Sequence, residues 1–333
     1  MAAKQAPKHE RFDRFIPVEP WVNPWQPDGL YSADFDLLEQ LLRVAVGTDQ
    51  RSGIVAAAAD VWAAEELRRA GFDEDEVWPR RRAPRVMPRD VKALVEKALT
   101  KKLREDVEGR YGTPGARRAL PAEANVLGRA YTKQADVVIA SWPAGVEVLI
   151  STKTMLSSFQ KNLRNRFEEG YGDAKNLRGR HPMAALGFLY ILGADAPEEA
   201  KVFAVDMLRK LVTEPDVYDC ACLLVLDGAQ GRVEEPNEIP DDRGPNEEPS
   251  GLVVPNGEMS ESDEGSVSAR EVDWSTPPEE GSAASVRLIH SEVPKDLSAN
   301  QFFATLVTAA LGRVPVAMYP VVRERIAYGP SKA

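Results

Sequence analysis

Residues 135–180 read ADVVIASWPAGVEVLISTKTMLSSFQKNLRNRFEEGYGDAKNLRGR, and the fold turns on how this stretch is parsed. Two β-branched runs, Ala135 to Ala140 and Val146 to Lys153, flank SWPAG, whose Pro and Gly signal a turn. The pattern predicts a β-hairpin. Asp136 enters the first strand and Lys153 leaves the second, so pairing can bring a carboxylate and an ammonium group together. Side chains alternate along a strand, which puts Ser151, Lys153 and Glu147 on one face. A polar amphipathic helix follows, from about Ser157 to Glu169, with Phe159, Leu163 and Phe167 at i, i+4, i+8 as its buried stripe. Glu168 lies about 100° round from Phe167, at the edge of that stripe, and Glu169 about twice as far round, where it is expected to face solvent.

Upstream, residues 1–30 are rich in Pro and Trp and read as an irregular arm. Helical periodicity starts at Ala33, with Asp34 as N-cap, and a second helix runs from about Ile54 to Ala70, where Gly71 stops it. A Pro-broken basic segment carries Arg80, Arg81, Arg82, Arg85 and Arg89, which reads equally as a DNA-backbone arm or as a solvated loop. A third helix is expected from about Asp90 to Arg110. Downstream of the hairpin, a strongly apolar helix (Pro182 to Leu192), an amphipathic helix (Pro197 to Leu211) and a strand (Tyr218 to Leu226) are expected. The stretch 228–283 is rich in Pro, Gly, Ser and acid and reads as disordered. Order resumes with a strand (Ser285 to His290) and a helix (Leu297 to Leu311). The chain divides into an arm and helical region (1–110), a core (111–233), an acidic insert (234–283) and a C-terminal strand and helix completing the core (284–333). The class is α/β (α+β), a mixed sheet flanked by helices with a helical N-terminal region.

At 43% hydrophobic, the 333 residues can bury a real core. Apolar runs are too short for a membrane span, and the N-terminus has no apolar signal segment, so a cytoplasmic protein is expected. Cys220 and Cys222 sit in one apolar strand and read as reduced core residues. Three histidines far apart in sequence argue against histidine-centred chemistry. Taken whole, the net charge of −10 argues against a nucleic-acid partner, but between Glu234 and Glu280 there are 15 acidic and 2 basic residues. The remainder is net +3. The acidity belongs to one segment, and nucleic acid stays open to the rest.

Phosphodiester hydrolysis needs carboxylates to hold a divalent cation, an aimed water, and a cation beside the developing charge. An Asp opening one strand and an x-x-Lys closing the next resembles the PD-(D/E)xK superfamily of nucleases. Ser151 departs from the pattern, standing where the acid is expected. A subset of type II restriction endonucleases has this Ser-x-Lys strand and moves the acid to the following helix, in an Arg-x-Glu segment that Arg166-Phe167-Glu168 resembles. Ser158, Phe159, Asn162, Asn165, Arg166, Glu168 and Glu169 are similar to a series in related restriction enzymes. The resemblance covers residues 120–230. It implies a restriction-endonuclease-like core in which Asp136 and Glu168 hold Mg²⁺ and Lys153 orients the attacking water. Possible accessory groups are Ser151, Glu169, Glu147, Glu123 and Glu65, the last beside Glu66 on the second helix. Lys161, Arg164, Arg166, Lys175, Arg178 and Arg180 are expected to contact the DNA backbone. The implied partners are double-stranded DNA, a second copy in a homodimer, and a DNA methyltransferase acting on the same site, with defence against foreign DNA as the role. A repair or recombination nuclease of the same fold is the alternative enzyme. The other is a catalytically silent DNA-binding or scaffold protein, since Ser151 cannot replace a carboxylate on a hard metal.

Overall fold

The computed structural model describes residues 9–17, 22–46, 53–111, 113, 115, 120–121, 123–157, 159–228 and 286–328, without the side chains of residues 160 and 161. The acidic segment expected to be an insert lies outside these residues. A six-stranded mixed sheet forms the middle layer, in the spatial order β1 (Val77–Trp78), β4 (Val137–Ser141), β5 (Gly145–Met155), β6 (Ala185–Gly193), β7 (Cys220–Asp227) and β8 (Arg287–Leu288). Strands β5, β6 and β7 run parallel; β1 against β4, β4 against β5 and β7 against β8 are antiparallel. The parallel steps need crossovers. Helices α5 (Phe159–Arg178) and α6 (Glu198–Thr213) supply them.

These two helices cover one face of the sheet, where Phe167, Leu177, Phe188, Tyr190 and Leu208 share a buried core. The other face is covered by α1 (Phe35–Val46), α2 (Gly53–Ala70), α7 (Ala299–Gly312) and α8 (Pro320–Tyr328). Asp34 caps α1, its Oδ1 accepting from Leu37 N at 3.0 Å. Helix α2 is buried on nearly every side because its alanines let neighbours approach closely. It ends at Gly71, whose φ of +111° suits glycine and where a Cβ would stand 3.1 Å from Val322 of α8. The N-terminal helices therefore share one core with the sheet and do not form a body of their own.

Three expectations are corrected. The apolar run Pro182 to Leu192 is not a helix: it forms β6, buried at all nine positions. With helices on both faces, a parallel strand has no polar side and so no alternation to read. The third helix is broken into α3 (Arg89–Ala93), a π turn at Leu94–Ala98, and α4 (Lys101–Gly109). The arginine segment is neither a free arm nor a solvated loop. Arg80 pairs with Asp75 at 2.7 Å, Arg81 with Glu65 at 3.0 Å, Arg85 with Asp13 at 2.7 Å and Arg89 with Glu76 at 2.6 Å, and Arg80 and Arg85 are buried. These pairs tie the loop to α2 and to the N-terminal turn at Glu10–Phe15.

The hairpin departs from ideal geometry at one point. Ile139 pairs with Val148, but the next residue, Ala140, pairs with Val146, leaving Glu147 as an extra, unpaired residue in β5. This β-bulge turns Glu147 to the side opposite Ser151 and Lys153. There it accepts from Ser141 Oγ at 2.9 Å and lies against Tyr319, which packs on the α2 side. Among the described residues no helix is long and apolar enough to cross a membrane.

Candidate active site

Asp136 occupies the single residue between β3 (Thr132–Ala135) and β4, at the corner where the chain leaves a small antiparallel ribbon and enters the main sheet. The ribbon consists of β2 (Ala124–Leu127) and β3. Pairing of Val137 with Ile150 sets Asp136 beside Ser151 and Thr152, and its Oδ2 accepts from Thr152 N at 2.8 Å. Strand β5 aims Lys153 to the same side, and α5 lies over it. Lys153 Nζ stands 3.4 Å from Glu169 Oε2, which Arg166 Nη1 also approaches at 3.4 Å. The structure thus brings together Asp136, Ser151, Lys153 and Glu169.

Both glutamates are exposed, as expected for Glu169, but it is Glu169 that lies beside Lys153. Leu163, Phe167, Gly170, Ala174 and Leu177 are buried, so the buried stripe drifts round α5 beyond Phe167. Arg166, Glu169 and Asp173, at i, i+3 and i+7, consequently flank the side facing β5 and the ribbon. Glu168 is exposed and makes no ion pair or hydrogen bond with a described residue. Asp173, a residue that sequence reasoning passed over, is buried beneath the ribbon. Its Oδ1 accepts from Tyr131 OH at 3.1 Å, and Lys133 Nζ is 2.6 Å from its Oδ2. No sequence signal short of the α5 register marks it, because it reads as one more solvent-facing acid.

The electrostatics follow from this packing. Burial pushes the Asp136 carboxyl above its ordinary range, and Asp173 adds to the effect; the Thr152 N–H, Lys153 and Lys133 oppose it. Partial burial would also raise Glu169, but Lys153 and Arg166 outweigh it and hold the carboxyl low. Ser151 is buried against Tyr218, whose hydroxyl donates to Gly170 O at 3.0 Å.

The remaining candidates stand elsewhere. Glu147 is on the opposite face through the bulge, contrary to the alternation expected. Glu65 is buried between Arg68 at 2.6 Å and Arg81, with no oxygen free for a cation at the hairpin. Glu66 is likewise taken by Arg69 and Tyr31. Glu123 is exposed just before β2. Among the expected DNA contacts, Arg164 and Arg180 are exposed, Arg166 is committed to Glu169, and Lys175 donates to Pro215 O at 2.6 Å. Arg178 is corrected outright: it is buried, donating to Val217 O at 3.2 Å and Asp219 Oδ2 at 2.8 Å, and it serves the fold. The Lys161 side chain lies outside the described set.

Among the described residues no three His, Cys, Asp or Glu side chains converge as a metal cage. Mg²⁺ does not ask for one, since it binds through one or two carboxylates and keeps water and phosphate oxygens. Asp136 fits that requirement, being half-buried with one oxygen held by a backbone N–H. Glu169 fits as a second oxygen donor across Lys153. No family model, no curated protein and no solved structure matches this chain.

Proposed function

We propose that the chain is a Mg²⁺-dependent endonuclease of duplex DNA, a site-specific enzyme acting against foreign DNA. The observation that carries this reading is the convergence of Asp136 and Lys153 across the β4–β5 pairing with Glu169 delivered from α5. A hairpin that continues into parallel strands through a helix crossing supports a restriction-endonuclease-like core. Asp136 and Glu169 would hold the cation, which supplies Lewis-acid polarisation of a scissile phosphate and lowers the pKa of bound water. Lys153 is placed to orient the attacking water and to offset charge that builds on the phosphate. The Thr152 N–H fixes the carboxylate plane of Asp136, so the donor needs little rearrangement. Arg164 and Arg180, both exposed on or just past α5, can meet the DNA backbone.

The test is incubation of the purified chain with unmodified phage DNA, with Mg²⁺ or with EDTA. Discrete fragments that form only with Mg²⁺ and disappear in Asp136→Ala are the expected result. Binding without cleavage would instead favour the silent scaffold, for which Ser151 is the motivating departure. A smear without discrete fragments would favour a structure-selective nuclease.

A further inference from the structure

We propose that the outer face of the β2–β3 ribbon reads adenine-containing base pairs in the DNA major groove, with Asn125 and Gln134 as the reading side chains. The proposal rests on the nuclease reading above and names how its substrate would be recognised. The ribbon stands outside the six-stranded sheet, with the register Ala124↔Ala135, Asn125↔Gln134, Val126↔Lys133 and Leu127↔Thr132. Ala124, Val126 and Ala135 face inward and are buried, and Lys133 reaches Asp173. Asn125, Leu127, Thr132 and Gln134 are exposed, Leu127 at 50%. One face therefore presents two carboxamides directly opposite each other, about 5 Å apart at Cβ, with a Leu–Thr pair beside them.

A two-stranded antiparallel ribbon fits the major groove, a carboxamide can bond both adenine N6 and N7, and the thymine methyl accepts apolar contact. Residues 124–135 contain no acid, and with Lys133 spent on Asp173 at the inner side the outer face is uncharged, so it offers a polyanion no repulsion. Gln134 is two residues from Asp136, which sets the bases read next to the bond that would be cut. The ribbon is also held firmly, as a reading element must be. Asn176 of α5 accepts from Ala130 N at 2.8 Å through Oδ1 and donates to Tyr131 O at 3.0 Å, and its carbonyl accepts from Arg129 N at 2.8 Å. At Gly128 a Cβ would fall 2.2 Å from Asn176 Nδ2, so the turn closes on that amide only with glycine there.

The experiment cuts, in Mg²⁺, a pool of duplexes with a randomised centre, followed by sequencing of the cut products. A second pool replaces adenine with 7-deazaadenine, which lacks the N7 acceptor. Wild type should select a motif containing adenine and cut it about tenfold or more slowly in the 7-deaza pool. Asn125→Ala and Gln134→Ala should each broaden the motif at one position and lose the 7-deaza penalty there. Arg164→Ala should instead slow all sequences alike. An unchanged motif in both ribbon variants, with a specific wild type, would overturn the ribbon assignment and leave the nuclease reading standing. Wild-type cutting without sequence preference would also overturn it. No Mg²⁺-dependent cutting by wild type would remove both.

Discussion

At the scale of residues, the two adjacent glutamates of α5 give opposite expectations. Glu169 pairs with Lys153, whereas Glu168 makes no ion pair or hydrogen bond with a described residue, so Glu169→Ala should slow Mg²⁺-dependent cleavage roughly 10²-fold or more. Glu168→Ala should stay within a few-fold; single-turnover rates decide, and the reverse order would remove Glu169 from the site. Which glutamate faces the site was not legible in the sequence. Phe159, Leu163 and Phe167 fix a stripe, but its drift toward Gly170 and Ala174 depends on what β6 offers beneath. The hairpin that brings Asp136 and Lys153 to one side was legible, because β-branched runs around a turn containing Pro and Gly have few other solutions. A second residue-scale expectation concerns Glu76, buried with Oε2 unpartnered. Burial pushes its carboxyl up to about 7 despite Arg89, with Asp73, Glu147 and Asp90 adding to the rise. A carboxyl raised in the folded state contributes stability that is fully present below about 4.5 and lost as pH rises through about 7. Glu76→Gln mimics the protonated form. Its melting temperature relative to wild type should therefore become more favourable between pH 5 and pH 8. A difference that is flat across that range would contradict the assignment.

At the scale of elements, β6 is the central strand, and helix α7 approaches it over Gly187. A Cβ there would lie 2.6 Å from the Phe302 ring, in a core with no slack. Gly187→Ala should destabilise the protein by about 1–3 kcal/mol, read by denaturant unfolding, since overpacking forces side chains off their rotamers. An unchanged midpoint would mean that the α7–β6 contact is looser than its geometry. The same strand explains why the sequence misled here: ALGFLYILG has no polar phase, and only the parallel pairing to β5 and β7 makes it extended. Helix α6 is different. Its polar outer face, with Lys201, Arg209 and Lys210 in surface pairs, keeps the 3.6-residue period readable.

For the whole molecule, two apolar clusters back onto one sheet, and Asp219 clips both sides together. It accepts from Arg178 at the end of α5 and, at 2.5 Å, from Arg313 just past α7, and its Oδ2 also takes Leu186 N of β6. Charge is distributed on a similar scale. Removing residues 234–280 takes out 15 acidic and 2 basic residues and changes the net charge from −10 to +3. The shortened chain should bind duplex DNA more tightly at low salt, with the gain shrinking as ionic strength rises toward physiological values. Titrations at two salt concentrations measure it, and equal affinity at low salt would show that the segment does not bear on DNA. The uneven charge was legible from composition. The ion pairing of Arg80, Arg81, Arg85 and Arg89 was not, because their partners Asp13, Glu65, Asp75 and Glu76 are distant or unremarkable in sequence.

The bulge in β5 has a genetic corollary. Loss of one codon inside a strand normally inverts the facing of everything beyond it. Glu147, however, is the surplus member of its pair: Val148 already faces the α2 side and Val146 the α5 side. Excising it would join two residues that alternate correctly and leave a regular ladder, with Ile139↔Val148 and Ala140↔Val146 intact. A chain lacking residue 147 should therefore fold and keep Asp136 beside Thr152, whereas one lacking Leu149 should not. Circular dichroism and yield of soluble protein would distinguish the two deletions, and equal collapse of both would show that the bulge is required. Folding of the chain lacking residue 147 would mark one position at which the strand can change length without disturbing the candidate site, at the end remote from Lys153.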